Sequence, residues 1–165
     1  MSGRGSNEGV NRSNCSSTTL RKASRRLSLL YDAALAPCGL KTTQRAILAQ
    51  IRRSEPASVG SLADALVMDS GALAHTLKPL ERDGFIVHHI NPEDRRQRLI
   101  KLTARGRSKL EESDTLWVQA QDAFDLALGK TESAMLRKAL QSVLSDELAE
   151  NFKRSLVNQN GFRTG

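Results

Sequence analysis

The chain has little of what catalysis, metal binding or membrane insertion requires. Its 165 residues include two cysteines and three histidines. Cys15 and Cys38 are too few for a disulfide framework and lack the short spacing of metal ligands. His75 has no histidine or cysteine three or four positions away, and His88 and His89 are adjacent. Neighbouring strand residues point to opposite faces, so that pair does not converge on one ion. No metal site and no cofactor is expected. A phosphate-cradling glycine loop and a nucleophile elbow are also missing, and the 11 glycines fall in the tails or punctuate helices. The chain therefore does not read as an enzyme. No apolar run approaches the ~18 residues that span a bilayer. Met1 to Ser17 lacks the apolar stretch of a secretory signal. Together these absences predict a soluble, cytoplasmic protein with no membrane partner.

Positive charge is what the chain has in excess. The formal net charge is +7, and hydrophobic residues, at 39%, suffice for a modest core. Between Asn91 and Lys109 stand Arg95, Arg96, Arg98, Lys101, Arg105, Arg107 and Lys109, against the acids Glu93 and Asp94. A concentration of this kind suits a polyanionic partner.

Residues 1–17, rich in Gly, Ser and Asn, read as a disordered tail. A helix is expected over Thr18–Ala36, ended by Pro37-Cys38-Gly39, and a second over Thr42–Arg53 with Ala46, Ile47, Gln50 and Ile51 on one face. A short helix follows over Val59–Val67, then a turn at Met68–Gly71 with Asp69 and Ser70 as two possible N-caps. The next helix runs to Arg82, stopped by Asp83-Gly84. Phe85–Ile90 and Gln97–Leu102 read as a hairpin joined by Asn91-Pro92-Glu93-Asp94. A long helix reaches Leu128, and one final helix starts near Thr131. Its Leu136, Leu140, Val143, Leu144, Leu148, Phe152 and Leu156 approximate a heptad seam. Residues 157–165 look frayed.

Two short helices joined by a tight turn and followed by a hairpin form a winged helix-turn-helix. The fold class is thus mainly α with a small β-hairpin wing, flanked by N- and C-terminal dimerisation helices. A major groove about 12 Å wide admits one helix, and the start of the second short helix is free of bulk. Ser70, Gly71, Ala72, Ala74, His75 and Lys78 lie on its exposed side, while Leu73, Leu77 and Leu80 recur at core spacing. Pro79 removes one backbone bond of this helix and is expected to kink it. The wing offers Asp94, Arg95, Arg96 and Arg98. Arginines at a hairpin tip suit a narrow, electronegative minor groove, and Asp94 is placed to pair with one of them. A winged helix that contacts only other proteins remains the alternative, and it would not need the basic wing.

The segments Ser61–Leu66, Leu80–Ile86 and Asn91–Arg96, then Leu102-Thr103-Ala104-Arg105-Gly106, resemble the multiple-antibiotic-resistance regulator (MarR) family. The Asp-Arg-Arg wing followed by Leu-Thr-x-x-Gly is the most specific part, and the likeness covers about residues 18 to 156. The resemblance implies a homodimer that binds a palindromic operator in double-stranded DNA, acting as a repressor released by a small phenolic-type inducer. It makes 18–40 and 104–156 the dimerisation region and 41–103 the DNA-binding region, with Arg96 the foremost minor-groove contact. Where the family often has a polar or basic residue, Gly71 and Ala72 stand, so the base-reading set is thin.

The same resemblance places an inducer pocket among Leu30, Tyr31, Ala34, Ile47 and Trp117, residues that also suit an ordinary core. A hydroperoxide-sensing branch of the family suggests thiol control instead. Cys15 lies near the reactive position of that branch, close to Arg12, Arg21 and Lys22, which favour the thiolate on approach. Cys38 is a second thiol or a small buried hydrophobe.

Overall fold

A computed structural model describes residues 15–94 and 98–161. Seven α-helices and three strands follow in the order α1 (Ser16–Leu35), α2 (Thr42–Ser54), β1 (Ala57–Ser58), α3 (Val59–Leu66), α4 (Ser70–Arg82), β2 (Ile86–Ile90), β3 (Arg98–Leu102), α5 (Ala104–Leu128), α6 (Lys130–Val143) and α7 (Asp146–Gly161). Among the described residues, no helix is long and apolar enough to cross a membrane. The chain divides into two compact units, one up to Val118 and one from Gln119 onward.

In the first unit, α1 begins at Ser16, earlier than the tail expected through Ser17. A short 3-10 turn over Ala36–Cys38 ends on Gly39 at φ +73°, a left-handed position that glycine adopts without a Cβ penalty. Asp32 of α1 then accepts the Thr42 N–H at 2.7 Å, so the first helix caps the second. The core gathers Leu35, Leu40, Ile47, Leu48, Ile51, Leu62, Leu73, Leu80, Ile100 and Leu110 at 3% exposure or less. Each such side chain contributes roughly 1.5–3 kcal/mol relative to exposure. Leu35 and Leu110 share this core with α2–α4, so the winged-helix elements are packed together with the end of α1 and the start of α5.

The sheet has one more strand than the expected hairpin. The order is β1-β3-β2, all antiparallel, with Ala57 opposite Ile100 and His88 also opposite Ile100 from the other side. A two-residue strand carries too little periodicity to be read from sequence. It makes β3 the central strand.

The second unit corrects the expectation of one final helix. Helix α6 ends at Val143 and α7 starts at Asp146. The cause is Ser145: its hydroxyl donates to the Ser142 carbonyl at 2.8 Å and accepts the Leu148 N–H at 3.2 Å, capping a new helix. The frayed end expected from residue 157 is also displaced, because α7 continues to Gly161. Within this unit Asp125 takes both ends of the Arg137 guanidinium, at 2.7 and 3.3 Å. Leu144, Leu148, Phe152 and Val157 stay exposed.

Candidate nucleic-acid interface

The helix-turn-helix is built from its caps. Ser58 starts α3 by accepting the Ser61 N–H at 3.0 Å, and the Ser61 hydroxyl accepts the Ser58 N–H at 3.1 Å in return. Val67 ends α3 at φ +51°, a left-handed conformation unusual for a β-branched residue, and the Met68 N–H returns to the Ala63 carbonyl at 2.9 Å. Of the two possible caps for α4, Asp69 is the one used. Its carboxylate accepts the Gly71 and Ala72 N–H groups at 2.9 and 3.0 Å. Ser70 therefore keeps its hydroxyl out of the cap.

Helix α4 sorts its residues as its period demands. Leu73, Leu77 and Leu80 are buried, while Ser70, Gly71, Ala72, Ala74, His75 and Lys78 are exposed on the other side. Pro79 sits inside the helix, which continues through it to Arg82. His75, Lys78, Pro79 and Arg82 together line a shallow groove on this helix. Arg82, donating from Nε to Asp83 at 2.9 Å, extends the cationic stripe by one turn. Sequence reading missed Arg82, although the i, i+3, i+7 spacing from His75 was the available signal.

Because Asp69 already holds two N-terminal amides, these are not free donors for a phosphate. Contacts to a polyanion from this helix must come from side chains.

The wing returns through β3, with Ile90 opposite Arg98. Asn91 opens the tip by accepting the Glu93 N–H at 3.0 Å, an Asx turn. Asp94 and Arg98 are exposed at its two sides. Arg95 and Arg96 lie outside the described residues, and so does either as the expected partner of Asp94. Behind the wing, Thr103 caps α5: its hydroxyl accepts the Gly106 N–H at 3.0 Å and donates to the Gly84 carbonyl at 2.6 Å. This gives the Leu-Thr-x-x-Gly segment its physical meaning.

Glu55, at the end of α2, accepts the Leu102 N–H at 3.0 Å and pairs with Arg107. Burial pushes its carboxyl up, but the Arg107 guanidinium and the Leu102 amide outweigh that and hold it below the usual carboxylate range.

The residues expected to line an inducer pocket are partly drawn together. Tyr31 and Trp117 meet with ring centroids 4.9 Å apart. Ile47 is fully buried, Ala34 half-buried, and Leu30 is 56% exposed. Arg45, which sequence reading did not single out, covers Trp117 with its guanidinium 4.2 Å from the ring centroid. It also donates to Ser113 at 3.1 Å and Asp114 at 2.6 Å. Arg52 reaches the other Asp114 oxygen at 3.4 Å.

The two cysteines differ sharply. Cys38 is 6% exposed and its thiol donates to the Leu35 carbonyl at 3.1 Å, which fits the small-hydrophobe reading. Cys15 is exposed at the N-cap of α1. The neighbouring Thr18 backbone amide, followed by its hydroxyl, holds the Cys15 thiol below its usual range.

Known proteins share this arrangement. The MarR family model matches residues 40–97, a stretch that runs from α2 through β2 and stops short of β3. An HTH-type transcriptional regulator of Bacillus cereus is 30% identical over 105 residues, covering 63% of this chain and 69% of the relative. A mutant MarR from E. coli, complexed with operator DNA, superposes with a TM-score of 0.72 at 27% identity, covering 78% of this chain and 93% of that one. The transcriptional regulator MOSR of M. tuberculosis, in complex with DNA, superposes with a TM-score of 0.65 at 31% identity, covering 78% and 98%. With its winged helix-turn-helix, its Leu-Thr-x-x-Gly cap and these relatives, the chain belongs to the MarR family and is a transcriptional regulator, not an enzyme.

Proposed function

We propose that the protein is a cytoplasmic repressor that binds a palindromic DNA operator as a homodimer and leaves it when a small phenolic-type ligand binds. The observation that carries the DNA reading is the division of α4, with Leu73, Leu77 and Leu80 buried and the small and basic residues from Ser70 to Lys78 exposed. This helix enters the major groove, where Ser70, His75 and Lys78 meet base edges or phosphates. Gly71, Ala72 and Ala74 permit the close approach. The wing, with Asp94, Arg95, Arg96 and Arg98, lies along the adjacent minor groove. Two relatives over 25% identical, the E. coli MarR mutant and MOSR, were solved on DNA, which supports the same partner here. The exposed apolar residues Leu144, Leu148, Phe152 and Val157 support a dimer, since a small monomer rarely leaves such a row in water.

Fluorescence anisotropy against the DNA upstream of the protein's own gene, with a scrambled duplex as control, tests the reading. Preference by roughly a thousandfold or more marks a specific regulator. Replacing both Arg95 and Arg96 with alanine should abolish tight binding while the dimer persists in sedimentation. Retained binding overturns the wing assignment. A protein that binds neither duplex at low salt is a protein-interaction module.

A second reading of the control step is oxidation at Cys15, favoured by its exposure and its lowered thiol pKa. Hydroperoxide that releases DNA from the native protein but not from Cys15→Ser establishes it. Equal release from both excludes it.

A further inference from the structure

The outer groove of α4, lined by His75, Lys78, Pro79 and Arg82, ends on a charged pair that the helix itself does not need. Arg82 is the last residue of α4, and its side chain is 76% exposed. Its Nε donates to Asp83 Oδ1 at 2.9 Å. A guanidinium carries five N–H donors in a planar fork, so this bond leaves those on the terminal nitrogens for another acceptor. Asp83 stands where a negative charge is unfavourable, at the C-terminal end of the helix dipole. Its backbone N–H closes α4 onto the Pro79 carbonyl at 2.9 Å, which any residue but proline can do. Among the described residues, its carboxylate accepts one hydrogen bond, the one from Arg82.

The length of α4 sets what Arg82 meets on DNA. At about 1.5 Å per residue, Arg82 lies about 18 Å along the axis from Ser70. The major groove is about 12 Å wide and about 8.5 Å deep. With the small residues Gly71, Ala72 and Ala74 closest to the bases, Arg82 falls beyond the base edges and against the phosphates of the groove rim.

We propose that Arg82 is a sequence-independent phosphate clamp and that Asp83 is the internal counter-ion which a phosphate displaces. This rests on the DNA-binding reading above. An exposed ion pair between sequence neighbours is weak, so a phosphate takes the place of the carboxylate at small cost. The guanidinium fork then meets two phosphate oxygens together, which a carboxylate held at Nε alone does not achieve. Asp83 thereby subtracts from the affinity for every duplex alike. Discrimination between sequences is left to the residues nearer Ser70.

The test is anisotropy over a series of salt concentrations, with the duplex upstream of the protein's own gene and a scrambled duplex of the same length. Arg82→Gln should flatten the fall of log affinity with log salt by about 0.9 per protomer, the share of one phosphate contact. At about 0.1 M salt it should weaken binding roughly eightfold per protomer. Both duplexes should lose the same factor, so the preference between them stays. Arg82→Lys should keep most of the slope. Lys130→Gln, which removes one charge from the exposed start of α6, should leave slope and affinity as they are. Asp83→Asn should tighten binding to both duplexes by about two- to fivefold, as removal of one nearby negative charge does. Circular dichroism melts check that each variant stays folded. An unchanged salt slope in a folded Arg82→Gln overturns the clamp, and so does a loss confined to the upstream duplex. Unchanged or weaker binding by Asp83→Asn overturns the counter-ion role. A native protein that binds neither duplex overturns the DNA reading and this proposal with it.

Discussion

Gly106 lies directly against the carbonyl of Phe85: a Cβ at position 106 would overlap the carbonyl oxygen and stand 2.8 Å from its carbon. The approach is fixed from both sides. Thr103 donates its N–H to the Phe85 carbonyl at 3.0 Å and its hydroxyl caps the Gly106 amide. Gly106→Ala should therefore push α5 away from the base of the wing and destabilise the fold by about 1–3 kcal/mol, as overpacking does. Urea unfolding measures it, and a loss below about half a kcal/mol would show that the contact relaxes freely.

Val67 carries the reverse expectation. It holds a left-handed φ of +51° at the helix-turn-helix turn and is 76% exposed. A β-branched residue there costs roughly 1–2 kcal/mol, and little burial is lost on removing it. Val67→Gly should stabilise the protein by about 0.5–1 kcal/mol after the added unfolded-state entropy of glycine. Thermal melts with a lowered midpoint would contradict this.

Arg45 links α2 to α5 through Ser113, Asp114 and the Trp117 ring. Arg45→Met keeps the stem and removes the charge. Ser113 still donates to Leu110 at 2.6 Å and Asp114 still meets Arg52, so the loss should be modest, about 1–2 kcal/mol. Trp117 is the single tryptophan of the chain, and its emission should change on substitution, since the guanidinium covers its face. Unchanged emission would mean that the stacked arrangement is not held in solution.

Acid should weaken the fold through Glu55. Its folded carboxyl sits below the ordinary carboxylate value because Arg107 and the Leu102 amide outweigh the effect of burial. A depressed folded value contributes stability above the unfolded one, about pH 4.3, and that stability is lost as pH falls through the folded value. Urea unfolding should be flat from pH 7 to about 5.5 and then decline. Glu55→Gln should start lower at pH 7 and decline less. The decline that remains falls to Asp32 and Asp125, whose carboxyls are also held low. An identical acid profile in Glu55→Gln would remove Glu55 from the account.

What could be read from the chain depended on whether the deciding contact was local. Leu73, Leu77 and Leu80 recur at helical spacing, so the buried side of α4 and the exposed residues opposite it followed directly. The Asp83-Gly84 stop of α4 is equally local. Other features depend on distant partners. Arg45 looks like a solvated cation until Asp114 arrives from 69 residues away. Strand β1 forms because Ala57 and Ser58 meet β3, which no pattern in two residues can announce. The break at Ser145 was hidden because Leu140, Leu144 and Leu148 keep their spacing straight across it, while one hydroxyl starts a new helix. In the interface, spacing alone pointed to His75 and Lys78. His88 was read only as a poor metal ligand, and its place beside Glu81 needs the pairing of β2 with β3.

The central position of β3 has a mechanical consequence. The returning wing strand β3 is bonded to β2 along its length and to β1 at Leu99 and Ile100, and its last residue is tied to Glu55 at the end of α2. The spacing between α4 and the base of the wing acts as a fixed caliper. On the DNA-bound state proposed above, a groove that is too wide or too narrow must be bent to fit, and the duplex bears the cost of that deformation. Operators would then be ranked by their stiffness as well as by their bases.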